Sequence, residues 1–516
     1  MSGPRVIHVP EPKLEFRFSQ AVQYPRDGLY LFGPVDAAAH ARQIRYGVIG
    51  TRTGVECLKE WAAQVSSFID VPPRTRMSKE TVAHHVAFPG FSEAFYSTWP
   101  TSPHRVIDDL TESNLRAAMN ITNRNEAVKA AVTLFVDRLI AEKKRAEDPP
   151  SFWYVVIPEF VWELGRPNST VPEADQVQGS VYVSEKQAAK LPKQPTLFGE
   201  AEGEAEVYKY ARNFRRQLKA RLLGDEIVTQ IVRETTLAPF RFLKSNGQPK
   251  RRVEDPATIA WKLGTTSYYK AGGKPWQLAK IRPGVCYVGL VYKQQPLGTN
   301  DRWACCAAQM FLSDGEGIVF RGALGPWWEP DTEQYHLSRT AAHSLVEMVL
   351  NEYHNSHHRY PNELFIHAKA SFNNDEWSGF NDACAGKDIN LVAVQITNAW
   401  DNLKLFRPGA YPTIRGTAVV TAENAAFLWS SGYVPRLDTY MGPDTPNPLQ
   451  VTIRRGKASL ETVLADVLAL TKLNFNTCLF NDRSPVTIRF ADAIGDILVS
   501  APEGSTKARL PFKFYI

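Results

Sequence analysis

Apolar and polar positions follow two different periods along the chain, and each period predicts one kind of element. Short, nearly continuous apolar runs at 44–50 (IRYGVIG) and 151–163 (SFWYVVIPEFVWE) are typical of buried strands. Apolar residues recur every three or four positions at 53–69 and 126–144, which predicts amphipathic helices. Strands that alternate with helices in this way favour an α/β fold built from βαβ units.

A different order of elements begins at residue 281. The predicted strands there are 285–293, 305–313, 362–372, 390–397, 416–422 and 449–455, and the predicted helices are 338–357 and 459–475. Strands thus precede the first helix, as in an RNase H-like domain, although periodicity alone allows other α/β folds. We therefore divide the chain into two domains, 1–280 and 281–516. Within them, 196–206 (TLFGEAEGEAE) is interpreted as a loop and 484–498 (SPVTIRFADAIGDIL) as a strand followed by a helix.

Length and composition are those of a globular protein with more than one core. A chain of 516 residues exceeds what one hydrophobic core usually holds, which predicts two or three domains. The 44% of apolar and 22% of charged residues exclude a disordered or fibrous chain. The formal net charge of +6 permits a nucleic-acid partner without requiring one.

The cysteines and the N-terminus indicate where the protein works. The six cysteines form no C-x-x-C pair, which fits reduced thiols. The N-terminal stretch MSGPRVIHVPEPK lacks the apolar core of a signal peptide, and no run of about 18 apolar residues could cross a membrane. We therefore expect a cytoplasmic protein with no membrane partner.

The most informative charges lie at 209–221 (KYARNFRRQLKAR), which holds six basic residues and no acidic one. Arg215 and Lys219 are four residues apart, so a helix would place both on one face. Gln230 follows eleven residues later, and Lys270 precedes a glycine pair that lets backbone approach a ligand closely. Converging cations with an amide donor would form a phosphate pocket. The alternative at this point is a solvated basic helix face.

Several motifs together resemble a known family. They are the spacing from the basic helix to its glutamine, KAGGKPW, LTKLNFN, SPVTIRFADAIGDIL and the final RLPFKFYI. In this order they resemble a short prokaryotic Argonaute, which is similar to the MID and PIWI halves of a full Argonaute and lacks the N and PAZ domains. The resemblance implies a Rossmann-like MID domain within 1–280, followed by an RNase H-like PIWI domain at 281–516.

The resemblance also implies a pocket for the 5′-phosphate of a guide strand. Arg215 is expected to stack over the first guide nucleotide, and Lys219 to grip the phosphate. Gln230 is expected to donate a hydrogen bond to it. Lys270, and Lys262 two turns upstream of it, are expected to serve as further phosphate-binding residues.

A divalent ion is the cofactor that the resemblance implies. The family often uses the C-terminal carboxylate, here that of Ile516, to hold a divalent ion such as Mg²⁺ against the 5′-phosphate. The alternating apolar residues of RLPFKFYI fit a buried terminus. The alternative is an ordinary edge strand.

A cutting site would need acidic residues that hold two divalent ions. The resemblance places the first acid at Val291, the third at Lys369 and the fourth near Asn474. Valine cannot bind a metal ion, and lysine would repel one. We therefore expect a degenerate site, no catalytic metal and no nuclease activity.

The function implied is guide-dependent recognition without cutting. The expected partners are a small guide RNA, a single-stranded target DNA and a separate APAZ-containing effector in prokaryotic defence against phage or plasmids. That effector would be a TIR or sirtuin-like NADase, with a nuclease less favoured. Two alternatives stay open: an active metal-dependent slicer whose acids lie elsewhere, and a basic α/β module that binds nucleic acid without a guide.

Overall fold

The computed structural model describes most of the chain. The described residues are 4–37, 42–71, 85–191, 200–280, 282–294, 304–311, 317–325, 327–331, 333–399, 403–440, 442, 444–502 and 509–516. They contain the strands β1 (Arg5–His8), β2 (Leu14–Phe16), β3 (Gln20–Val22), β4 (Arg42–Gln43), β5 (Tyr46–Thr51), β6 (Ser97–Thr98), β7 (Arg105–Leu110), β8 (Phe152–Ile157), β9 (Thr229–Arg233), β10 (Gln277–Leu278), β11 (Val285–Gln294), β12 (Ala304–Phe311), β13 (Gly317–Gly325), β14 (Trp328–Glu329), β15 (Gln334–Tyr335), β16 (Glu363–Ala368), β17 (Asn390–Asn398), β18 (Thr417–Ala422), β19 (Ala425–Leu428), β20 (Leu449–Arg455) and β21 (Arg509–Pro511).

The same residues contain fifteen α-helices. These are α1 (Pro25–Leu31), α2 (Arg52–Val65), α3 (Phe91–Phe95), α4 (Glu112–Met119), α5 (Arg124–Arg145), α6 (Glu159–Leu164), α7 (Glu185–Ala188), α8 (Glu200–Ala205), α9 (Phe214–Leu222), α10 (Glu234–Leu237), α11 (Pro256–Lys270), α12 (Arg339–His357), α13 (Asn374–Cys384), α14 (Leu460–Leu470) and α15 (Val486–Leu498). None of the helices described here has the length and apolar composition needed to cross a membrane.

The first half of the chain is built on a parallel sheet with the strand order β7-β5-β8-β9. Strands β5 and β8 are buried on both faces, as their continuous apolar runs predict. On one face, Val132 and Phe135 of α5 share a buried cluster with Trp153 and Val155 of β8. The other face packs against α2, whose first turn is capped by Thr51. The expected α/β layer arrangement is confirmed.

The second half is built on a ten-stranded mixed sheet with the order β1-β18-β19-β20-β17-β16-β11-β12-β13-β21. Its centre, β11-β16-β17, is parallel, and α12 and α13 cover one face of it. Strands come before the first helix and alternation follows, which confirms the RNase H-like order. Strand β1 joins this sheet by pairing with β18, so the first residues of the 1–280 segment pack with the second half.

Three local predictions were wrong. The strand expected at 151–163 ends at Ile157 as β8, and after Pro158 the chain forms α6 from Glu159 to Leu164. Residues 200–205, expected to be loop, form α8, because Glu and Ala are strong helix formers. The strand expected at the start of 484–498 is absent there, since α15 runs from Val486 to Leu498 directly after Pro485. The apolar residues Val486, Phe490 and Ile494 recur at helical spacing, and this period prevails over the β-branched composition.

Helix α15 lies unusually close to β11 because of two glycines. A β-carbon on Gly289 would stand 2.0 Å from the carbonyl oxygen of Thr487, and one on Gly495 would stand 2.4 Å from Cγ of Lys293. Glycine is therefore required at both positions. This close packing brings the polar residues of α15 over the end of β11.

Candidate nucleic-acid interface

The basic helix and the glycine-paired lysine meet in one buried cluster. Lys219 lies in the last turn of α9, and Lys270 is the final residue of α11. Their side chains converge on β9, where both ammonium groups donate to the carbonyl oxygen of Thr229, at 3.1 and 2.8 Å. Lys219 is 3% exposed and Lys270 is fully buried. The solvated basic face considered above is therefore not what these two lysines form.

The last residue of the sequence completes this cluster. Strand β21 and a short 3₁₀ turn at Phe512–Phe514 lead the chain inward, and Phe512, Tyr515 and Ile516 are buried. The main-chain oxygen of Ile516 accepts hydrogen bonds from Lys219 at 2.6 Å and from Lys270 at 2.7 Å. The cluster thus joins residues from both halves of the chain.

Gln230 and Arg215 border the cluster. The Oε1 atom of Gln230 accepts from Lys270 at 2.6 Å, and its amide nitrogen donates weakly to the carbonyl of Ile231 at 3.2 Å. Arg215 is half-buried one turn before Lys219 on α9, close enough to act electrostatically on both lysines. Lys262 lies apart, since its ammonium group pairs with Glu254 at 2.5 Å.

Burial and repulsion among its cations dominate the electrostatics of the cluster. Burial lowers the pKa of Lys219 well below its ordinary value, and repulsion from Lys270 and Arg215 adds to the shift. Burial and Arg215 do the same to the pKa of Lys270. No carboxylate side chain in the described ranges is within ion-pair distance of either lysine. Buried ammonium groups in this state favour the arrival of an anion.

The cluster fits an anion better than a divalent cation. Its oxygen atoms, those of Thr229, Gln230 and Ile516, all accept from lysine ammonium groups. Within the described part of the chain, no group of three His, Cys, Asp or Glu side chains is placed to hold a metal ion. The contribution of Mg²⁺ to this cluster stays a prediction.

The positions expected for metal-binding acids lie at the ends of two central strands. Gly289 of β11 forms the last pair of this ladder with His367 of β16. Val291 lies two residues further on β11, and Lys369 directly follows the end of β16. Val291 is 6% exposed and lies against Gly495 of α15. Lys369 forms an ion pair with Asp492 of α15. The residue types at these two positions cannot hold a metal ion.

A network of ion pairs surrounds Lys369. Lys293 lies 3.4 Å from Asp492 and 3.3 Å from Asp496, one helical turn apart on α15. Asp496 also pairs with Arg216 of α9 at 2.6 Å. We call these five residues, Arg216, Lys293, Lys369, Asp492 and Asp496, the strand-end cluster. Although burial opposes the effect, Lys369 and Lys293 hold the pKa of Asp492 below its ordinary value.

Asn474 does not belong to the strand-end cluster. It is buried, donates to Asp482 at 2.7 Å and accepts from the main chain of Asn476 at 2.9 Å. None of the contacts described for it reaches Lys369. The acidic residue that contacts Lys369 is instead Asp492 of α15.

Comparison with solved structures places this architecture among Argonaute proteins. Clostridium butyricum Argonaute bound to a guide DNA and a 19-mer target DNA matches with a TM-score of 0.60 and 14% identity, over 100% of this chain and 55% of that one. A. aeolicus Argonaute matches with a TM-score of 0.55 and 13% identity, over 98% and 54%. Aa-Ago with externally bound siRNA matches with a TM-score of 0.54 and 13% identity, over 100% and 56%. No protein-family model and no curated protein matches the sequence.

The chain has an Argonaute fold. It spans about half the length of the solved Argonautes that it matches. The likeness confirms the expected order of a MID-like half followed by a PIWI-like half, while function must be argued from the sites themselves. The lysine cluster around Ile516 lies between these two halves, and the strand-end cluster lies in the PIWI-like half with Arg216 reaching it from the other.

Sequence reasoning missed four residues of the strand-end cluster. Asp492 and Asp496 are four residues apart, a spacing that puts both on one helix face. Because 484–498 was expected to begin as a strand, that signal was overlooked. Arg216 and Lys293 carried no separate signal, since their role depends on the packing of α15 against β11 and α9.

Proposed function

We propose that this chain binds a small guide nucleic acid by its 5′-phosphate and uses that guide to recognise a single-stranded target without cutting it. The observation that carries the proposal is the meeting of Lys219 and Lys270 at Ile516 with no carboxylate side chain nearby in the described residues. A terminal phosphate would supply the negative charge that no side chain of the described residues gives to this pair. Base pairing by the guide then provides sequence specificity, while the protein contacts backbone and shape.

Arg215 and Gln230 fit supporting roles in that pocket. The guanidinium plane of Arg215 can stack on the first base, as arginine does in single-strand recognition. Gln230 uses Oε1 for Lys270 and keeps an amide hydrogen for a phosphate oxygen. The fold gives further support, because a solved Argonaute of similar architecture is bound to guide and target DNA.

We propose that the chain does not cut its target because of the residue types at the expected metal-binding positions. Two-metal hydrolysis needs carboxylates that bridge ions about 3.5–4 Å apart. Val291 and Lys369 offer none at adjacent strand ends, and Asp492 is engaged by lysine. An active slicer would instead cleave the target at a single site when Mg²⁺ or Mn²⁺ is present.

The test uses the purified chain with labelled oligonucleotides. Guides of RNA and DNA, each with a 5′-phosphate, are loaded separately, and capture of a complementary target is compared with capture of a scrambled one. We expect the RNA guide with the DNA target to give the tightest ternary complex and the target to stay intact in Mg²⁺ or Mn²⁺. Equal capture of both targets would instead support the guide-free binding module.

We further propose that a separate effector protein carries out the enzymatic response to target recognition. The support is the resemblance to short Argonautes, whose partners carry an APAZ domain fused to a TIR, sirtuin-like or nuclease domain, and which act in defence against phage or plasmids. Co-expression with candidate APAZ effectors, followed by addition of guide and target, tests this. NAD⁺ loss that requires a complementary target is the expected result, and a constant NAD⁺ level together with intact DNA for every candidate would contradict it.

A further inference from the structure

The strand-end cluster has more positive charge than its acids neutralise. Among the described residues, the three cations Lys293, Lys369 and Arg216 form ion pairs with the two carboxylates of Asp492 and Asp496. The remaining titratable group facing α15 from β16 is His367, which hydrogen-bonds to Thr487 at 2.9 Å. Burial lowers the pKa of His367 to about 3, so that imidazole is neutral at physiological pH and does not change the excess.

The two lysines keep hydrogen-bond donors available. An ammonium group has three N–H donors, and the acids of α15 cannot occupy all of them on both lysines. The side chain of Lys369 is 50% exposed and that of Lys293 is 28% exposed, so both can be reached from solvent. The carboxylates fix the position of these cations while their remaining donors stay open, which is how a binding site is preorganised.

The location of the cluster is that of a ligand site. In α/β sheets with parallel strands, ligands bind at the carboxyl ends of the strands. Lys369 follows the last residue of β16, and Lys293 lies near the end of the adjacent strand β11. A cation would meet two ammonium groups here, whereas an anion would meet two open donors and a favourable charge.

We propose that the strand-end cluster binds a backbone phosphodiester of the guide–target duplex directly through Lys369 and Lys293, with no metal ion. This inference rests on the proposed function and names a contact of the bound duplex that the 5′-phosphate pocket does not make. Lysine acts on phosphate as a point charge, so the contact adds affinity and register without reading sequence. Arg216 of α9 completes the cluster through its ion pair with Asp496 of α15.

The experiment first measures binding of a 5′-phosphorylated guide and then scans the duplex for one critical phosphate. Methylphosphonate linkages, which are neutral, are placed singly along the target and, in a second series, along the guide. In the unmodified protein we expect one position at which the neutral linkage weakens target binding about tenfold, the size of one lost charged hydrogen bond. Chelation with EDTA should leave that result unchanged.

Variants then connect that phosphate to the lysines. Lys369→Ala should lose the sensitivity at that one position and keep normal guide binding, while Lys369→Arg should retain it. The matched control is Lys190→Ala, which removes an exposed lysine outside the cluster and should preserve the full scan pattern. Circular dichroism of each variant checks folding, and Lys293→Ala provides an independent second variant.

The outcomes separate this inference from the proposed function. Failure of any guide to bind would overturn both. Normal guide binding with no sensitive phosphate in either strand, or the same sensitive position in Lys369→Ala and Lys293→Ala, would overturn the inference alone and leave the cluster as an ion-pair bridge between α9, α15 and the strand ends. The strand that carries the sensitive position identifies the source of the phosphodiester.

Discussion

The two lysine clusters of this Argonaute fold differ in burial and in counter-charge. Lys219 and Lys270 are at most 3% exposed and donate only to main-chain and amide oxygens. Lys293 and Lys369 are partly exposed and pair with carboxylates of α15. Exposed ion pairs contribute little to stability, whereas moving a cation out of water costs free energy that the arrival of an anion can offset. Under the two proposals above, the same residue type would meet a desolvated phosphate in one place and a solvated one in the other.

The largest expected effect comes from removing a lysine of the buried cluster. Lys270→Met keeps most of the apolar stem and deletes the ammonium group that donates to Thr229, Gln230 and Ile516. Binding of a 5′-phosphorylated guide should weaken by about 1.5–3 kcal/mol, the range for a hydrogen bond to a charged group. Fluorescence anisotropy with a labelled guide measures it.

Lys262→Met is the matched control for that variant. Its ammonium group pairs with Glu254 outside the cluster, so the loss should stay below about 1 kcal/mol. Similar losses in both variants would mean that the lysines act as general backbone contacts, and the buried pocket would lose its special role.

A smaller effect is expected from the end of the sequence. A short Gly-Ser tail added after Ile516 should displace its oxygen from between Lys219 and Lys270, and guide affinity should fall by about 1 kcal/mol, as for one disturbed hydrogen bond. Titration with and without EDTA shows at the same time whether a divalent ion contributes. An unchanged affinity in the tailed protein would show that this residue is an ordinary strand end.

The pH dependence of folding stability should also differ between the clusters. Because the folded-state pKa of Lys219 and Lys270 lies below 10.5, the unfolded chain binds more protons between the two values. Stability of the guide-free protein should therefore rise as pH rises through that window. Urea unfolding at several pH values measures the rise, which the double variant Lys219→Met/Lys270→Met should lack. A rise of equal size in that variant would contradict the assignment.

The smallest expected effect is on cleavage, where we predict none. Val291→Asp alone should not produce a slicer, since Lys369 stays beside it. At about 4 Å and an effective dielectric constant near 20, the lysine repels each unit of metal charge by about 4 kcal/mol. A gel assay with Mn²⁺ and a labelled target checks this. Cleavage of the target at a single site by the unmodified chain would contradict this prediction and support the slicer alternative.

The sequence predicted strands and helices well in segments where the apolar residues follow a single periodicity. Strand β5 and helix α5 were expected within a few residues of their bounds, because continuous apolar runs and helical spacing are strong local signals. Strand β8 was expected, but its end at Ile157 was missed because the apolar run continues into α6. Pairing of β1 with β18 could not be predicted, since nothing local encodes a contact across more than 400 residues. The start of α15 was missed because its β-branched residues imitate a strand.

The sequence predicted only part of the candidate site, because some of its contacts depend on the main chain and on tertiary packing. Lys219, Gln230 and Lys270 are brought together as their motif spacing indicated, whereas Lys262 points to Glu254 instead. The shared acceptor oxygen of Thr229 belongs to the main chain, so no sequence pattern could reveal it. Lys369 pairs with Asp492, while Asn474 bonds to Asp482, and only the packing of α15 on β11 shows this.

The most direct test compares guides that differ only at the 5′ end. The unmodified protein is titrated at neutral pH with one guide sequence carrying either a 5′-phosphate or a 5′-hydroxyl group. We predict at least about tenfold tighter binding of the phosphorylated guide, and a Lys219→Met variant in which this preference largely disappears. Equal affinity for the two guides in the unmodified protein would contradict the account.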